Sequence, residues 1–216
     1  MIKAIIFDMD GVITDTDKTR FILLQKLLKK RNIDLKNNLY RKSVGKRTKV
    51  FLKEVLGDAL SDNDIEKIFL ERKAEYHKNP KKYILTMPYA ISCCQKLLSL
   101  KYKLAIASSS EKRDIKLVLK NTGLLPCFKI IIGSDDVKTP KPNPEVYLES
   151  IKKLKLKKTE CLAIEDSPIG IKAAKSAGLF CVAVTYTHSK KELSQADLII
   201  SSLNQLNPKL IKQLQN

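Results

Sequence analysis

The stretch IKAIIFDMDGVITDTD, residues 2–17, sets an apolar, β-branched run directly against four aspartates. A run without polar alternation is what a parallel strand buried on both faces requires. Two carboxylates as close as Asp8 and Asp10 repel one another unless one keeps its proton or a hard cation lies between them. If the extended backbone persists to that point, their spacing of two puts both side chains on one side of the chain. Gly11 then lets the chain turn out of the sheet. Asp15 and Asp17 read as turn and capping residues instead.

From Asp17 to about Tyr83 the apolar residues recur at helical spacing, as in Phe21, Leu24 and Leu28, again in Val50, Phe51 and Val55, and in Ile65, Ile68 and Phe69. After KNPKKY (78–83) the pattern becomes helix–strand alternation. Helices are expected over 88–100, 111–121, 144–154 and 169–177, and strands over 103–107, 128–132, 161–164, 180–184 and 198–200. Such alternation implies a doubly wound, mainly parallel α/β sheet covered by helices on both faces. The expected organisation is a core of residues 1–15 and 84–216, interrupted after its first strand by a helical insertion, residues 16–83.

With 216 residues and 44% apolar composition the chain can fill a sizeable core. It carries no apolar stretch of membrane-spanning length, and MIKAIIFD lacks the features of a secretory leader, so a soluble cytoplasmic protein is expected. Its five cysteines lack CxxC spacing and read as reduced structural residues. The net charge of +18 is half concentrated between positions 15 and 83, with 19 basic and 10 acidic residues. Solvated lysine-rich helix faces account for it; no zinc-finger or aromatic RNA-binding signature accompanies it, which argues against nucleic acid as a partner.

Ligands in such sheets bind beyond the carboxyl ends of the strands. A second acidic pair, Glu165–Asp166, follows the apolar run CLAI, and Ser167–Pro168 suits the start of the next helix. Helix-start acidity alone would explain it, but together with Asp8 and Asp10 it could build an oxygen-ligand site suited to magnesium. IASSSEKRD places Ser108, Ser109 and Ser110 between a strand and a helix, where hydroxyls and backbone N–H groups can hold a phosphate or Ser110 can cap the helix. Lys141 lies between Pro140 and Pro142, which fix where its ammonium sits. A carboxylate approaching a phosphate dianion to about 4 Å meets on the order of 8 kcal/mol of repulsion at an effective dielectric near 20. A divalent cation and an ammonium in the same site offset it.

DMDGVITDT, the serines of IASSS, Lys141 in KPNPEVY and IEDSPIGIKAAKSAG resemble, in order and spacing, the four motifs of the haloacid dehalogenase-like hydrolases. The insertion resembles the α-helical cap domain of their β-phosphoglucomutase-like phosphatases. The resemblance implies a Rossmann-like core and a phosphoric monoester hydrolase. Asp8 would be the nucleophile that becomes an aspartyl-phosphate, and Asp10 the acid and base. It further implies Mg2+ held by the Asp8 side chain, the Asp10 main-chain carbonyl and Asp166, with Glu165 nearby, and a phosphoryl group held by Ser108 and Lys141. Ser109 shares that loop.

Within the cap, VGKRTKVF and ERKAEYH suggest Arg47 and Lys73 as substrate contacts by the same resemblance. The mutases carry a histidine where this chain has Arg20, which favours hydrolysis over a sugar-phosphate mutase reaction. The expected protein is a monomeric phosphatase of a small phosphorylated metabolite such as a sugar phosphate. A non-catalytic basic binding protein on the same fold is disfavoured because Asp8, Asp10, Lys141 and Asp166 are all present.

Overall fold

The computed structural model describes residues 1–44, 46 and 48–214. Strand β1, Ala4–Phe7, is buried at every position. It lies between β2 (Lys103–Ala107) and β4 (Cys161–Glu165); β3 (Phe128–Ile132) pairs with β2, and β5 (Phe180–Val184) and β6 (Leu198–Ile200) continue beyond β4. The order is β3-β2-β1-β4-β5-β6, and all five pairings are parallel. The chain reaches the sheet's centre first, builds one side, then crosses back to build the other. The carboxyl end of β1 is therefore at the switch point where α/β sheets open a crevice.

Alternation along the strands feeds two faces. Ala4, Ile6, Ala105, Ala107 and Ala163 pack with Val146, Tyr147, Ile171, Ala173 and Ala174 of helices α8 (Glu145–Leu154) and α9 (Pro168–Ser176). Ile5, Phe7, Leu104 and Ile106, which alternate with them, are fully buried too. Helices α6 (Ala90–Ser99) and α7 (Lys112–Asn121) pack against β2 and β3. Expected helices begin one or two residues early at 88, 111 and 144. In the first case Tyr89 has a left-handed φ of 62°, which keeps it out of the helix.

The chain divides into two compact units, Met1–Thr14 with Thr86–Asn216, and Asp15–Leu85. The second is helical: α1 (Thr16–Lys29), α2 (Tyr40–Ser43), α3 (Thr48–Leu56), α4 (Asp62–Lys78) and α5 (Pro80–Tyr83). Its core joins Phe21, Leu24, Leu28, Leu35, Phe51, Leu52, Ile65 and Ile68. Two positions differ from the periodic reading. Val50 is exposed, and Leu52 takes its place inside. Phe69 is only half-buried, its ring flanked by Lys49 and Arg72.

Asp15 caps α1 by accepting from Lys18 N at 3.0 Å, and Asp17 pairs with Arg20 in the first turn. Many cap bases are matched inside their own unit, among them Lys26 with Glu75, Arg31 with Glu71 and Lys53 with Asp62. All five cysteines are buried and free of disulfides, and burial pushes the Cys93 thiol up to about 12. No helix among the described residues is long and apolar enough to cross a membrane.

Candidate active site

β1 ends at Phe7, but its ladder fixes one residue more, because Asp8 N donates to Ile164 O at 2.9 Å. The backbone then closes on itself: Ile13 N and Thr14 N both donate to Met9 O, and Gly11 N donates to Thr14 O at 2.7 Å. Gly11, at a φ of +84°, makes the turn expected after Asp8 and Asp10. Their partners differ. Asp8 Oδ1 accepts from Lys141 Nζ at 2.6 Å, whereas Asp10 Oδ2 accepts from Ser110 Oγ at 2.8 Å and Ser108 Oγ at 3.3 Å.

Lys141 stands at the centre of the buried charges. Besides Asp8, its ammonium donates to Glu165 Oε1 at 2.7 Å and to Ala107 O at 3.0 Å, and it lies 5.0 Å from the centre of the Tyr147 ring. Burial alone would lower the lysine, but Asp8 and Glu165 outweigh it and hold the ammonium above its ordinary range. Glu165 is fully buried. Its Oε1 also accepts from Tyr147 OH at 2.7 Å, and Oε2 accepts from Asp166 N and Ser167 Oγ. Glu165 thus anchors Lys141 with both oxygens occupied.

Asp166 completes the cluster. One carboxylate oxygen from each of Asp8, Glu165 and Asp166 lies within 4.8 Å of the others. Burial raises Asp8 to about 8, with Glu165 and Asp10 adding to the rise and Lys141 opposing it; burial and the charges of Asp8 and Glu165 push Asp166 well up. Three carboxylates against one ammonium leave two negative charges to be met, and a divalent, oxygen-loving cation such as Mg2+ fits that donor set. Asp10 Oδ2 is held by the two serines.

Two glycines make the room. A Cβ on Gly11, whose φ is +84°, would lie 1.9 Å from Asp166 Oδ2, and one on Gly170 would lie 2.0 Å from Glu165 Oε1. Ser167 caps α9 through Gly170 N. On the phosphate side, Ser108 is buried at the end of β2 and Ser109 is exposed. Ser110 does not cap α7. Its hydroxyl goes to Asp10, and Asp135 Oδ1 accepts from Lys112 N at 2.8 Å instead. Lys73 is half-buried on α4, and Arg47 lies outside the described residues.

Sequence reasoning assigned no role to Tyr147, Thr187 or His188. Tyr147 could have been found, since it follows Lys141 by six residues, in the first turn of α8. Thr187, whose hydroxyl lies against Asp166 Oδ2 and Asp166 O, is reached only through the fold.

The chain is similar over most of its length to known proteins. The model of the haloacid dehalogenase-like hydrolases matches residues 5–184. The Bacillus subtilis protein YhcW, provisionally named a phosphatase, is 33% identical over 96% of this chain and 100% of its own. The phosphorylated carbohydrates phosphatase of Thermotoga maritima is 31% identical over 82% of each chain. The crystal structure of β-phosphoglucomutase from Clostridium difficile superposes with a TM-score of 0.72 at 30% identity, covering 99% of this chain and 96% of that one. A match across most of the length, with the acidic cluster at the switch point, places the chain in the haloacid dehalogenase-like hydrolase family.

Proposed function

We propose that the protein hydrolyses a small phosphorylated metabolite, a sugar phosphate or similar, through an aspartyl-phosphate on Asp8. The class, phosphoric monoester hydrolase, follows from family membership and from relatives bearing phosphatase names at 33% and 31% identity. The substrate class is drawn from the carbohydrate phosphates named for the Thermotoga relative. The observation that carries the mechanism is Asp8 itself, a buried carboxylate at the end of the central strand with Lys141 at 2.6 Å.

In the first step the Asp8 carboxylate attacks phosphorus, the bond to the leaving oxygen breaks, and Asp10 gives that oxygen its proton. Ser108 and Ser110 hold Asp10. In the second step water attacks the same phosphorus, Asp10 takes the water's proton, and Asp8 is released as carboxylate. Lys141 offsets part of the repulsion between carboxylate and phosphate. Mg2+, held when bound by Asp8 and Asp166 with the Asp10 carbonyl and Glu165 beside them, supplies the remaining positive charge. Cap residues, Arg47 and Lys73 among them, are assigned to substrate choice, and the protein to the cytoplasm as a monomer.

Hydrolysis is favoured over phosphoryl transfer between sugar positions because of Arg20. Its guanidinium donates to Asp17 Oδ1 and to Ser43 O, both at 2.5 Å, so it serves the packing of α1 against α2. The testing experiment is a screen of phosphorylated metabolites for inorganic phosphate release with and without Mg2+. Magnesium-dependent release supports the reading; a sugar bisphosphate formed and consumed without phosphate accumulation would support the mutase instead.

A further inference from the structure

Asp166 is held by a pair of residues from the loop after β5. His188 Nδ1 lies 2.9 Å from Asp166 O and 2.8 Å from Thr187 Oγ1, while Thr187 Oγ1 is 3.1 Å from Asp166 O and bonded to Asp166 Oδ2. The protons in this group can be assigned. A carbonyl oxygen only accepts, so the contact from His188 to Asp166 O is a hydrogen bond only if Nδ1 carries hydrogen. With hydrogen there, Nδ1 cannot accept from Thr187. The single hydroxyl proton of Thr187 therefore goes to Asp166, of whose two oxygens within reach Oδ2 is the nearer.

The backbone crowds that oxygen as well. Asp166 Oδ2 lies against Gly11, in the space a Cβ would fill, and Thr187 Cγ2 lies 3.1 Å from the same point. The carboxylate is thus wedged between the turn after Asp8 and the loop after β5. With Oδ2 committed, Oδ1 is left for the cluster shared with Asp8 and Glu165.

We propose that Thr187 is a positioning residue, its hydroxyl fixing the rotation of the Asp166 carboxylate so that one oxygen stays available to a divalent cation. The inference rests on the cation reading given under the proposed function and names a further residue for it. His188 supports this by carrying its own hydrogen on Nδ1, which removes that nitrogen as an acceptor for the Thr187 proton. Outer partners of this kind tune metal affinity by about 10- to 100-fold.

The test is a calorimetric titration of the folded protein with Mg2+ alone. Thr187→Val, which keeps the shape and removes the donor, should weaken Mg2+ binding about tenfold or more. Thr187→Ser should restore it. In assays the Mg2+ concentration for half-activation should rise in Thr187→Val while KM for p-nitrophenyl phosphate stays as in the unmodified protein, a split that general loosening of the fold would not give. Thr187→Ala carries the same expectation should valine prevent folding. Unchanged Mg2+ affinity in the folded valine or alanine variant overturns the role of Thr187. Absence of Mg2+ binding by the unmodified protein instead overturns the cation reading and the proposal with it.

Discussion

Lys141 Nζ lies 2.6 Å from Asp8 Oδ1, although the two residues are 133 positions apart in sequence. Both side chains are less than a tenth exposed, and the same ammonium serves Glu165. One cation therefore tethers the end of β1 to the end of β4.

Replacing Lys141 by methionine should lower phosphate release by about 10²–10³-fold or more, as removal of one preorganised charge does. It should also cost about 3–5 kcal/mol of stability at pH 8, because buried carboxylates are left without a partner. The loss should shrink at pH 6, where Asp8 can take a proton instead. Urea denaturation at the two pH values checks this.

Magnesium and protons should compete at Asp8. Its folded pKa of about 8 is above the 3.8 of an ordinary aspartate, so the metal-free native state binds more protons than the unfolded chain between those values. The contribution of Asp8 to stability is full below about pH 4 and is lost as pH rises through about 8. The rise in Tm on adding Mg2+ should accordingly be larger at pH 8 than at pH 6. Equal shifts at both would contradict the coupling.

Gly170→Ala should destabilise by about 1–3 kcal/mol, the usual range for overpacking. The new Cβ would meet a carboxylate that cannot retreat, since Lys141 and Tyr147 hold Glu165 Oε1. Chemical denaturation measures the cost, and activity should fall with it as Lys141 loses its anchor.

Tyr147→Phe makes a narrower cut. The ring beneath Lys141 remains, but Glu165 Oε1 loses a donor at 2.7 Å. About 1.5–3 kcal/mol of stability should be lost, as for a hydrogen bond to a charged group. The fall in kcat should be smaller than for Lys141→Met.

The sheet was legible because its strands are continuous apolar runs. Residues 103–107, 128–132, 180–184 and 198–200 form strands at the expected bounds. Asp8, Asp10, Lys141, Glu165 and Asp166 stood out in the sequence because each follows such a run or is braced by prolines. What could not be read was partnership. Ser108 and Ser110 hold the Asp10 carboxylate from 98 and 100 positions away, which no local pattern shows. Thr187 and His188 resemble any polar loop until the fold brings them to Asp166, 21 and 22 positions earlier in the chain. The helical unit was less legible because a helix tolerates a shift of one position, as Val50 and Leu52 show.

The central claim is that Asp8 is the nucleophile, and the most direct measurement is magnesium-dependent phosphate release from p-nitrophenyl phosphate by Asp8→Asn. The account predicts release at background level from a protein whose metal-free Tm at pH 8 is no lower than that of the unmodified chain, because a buried negative charge has been removed. Full release by a correctly folded Asp8→Asn protein would contradict it.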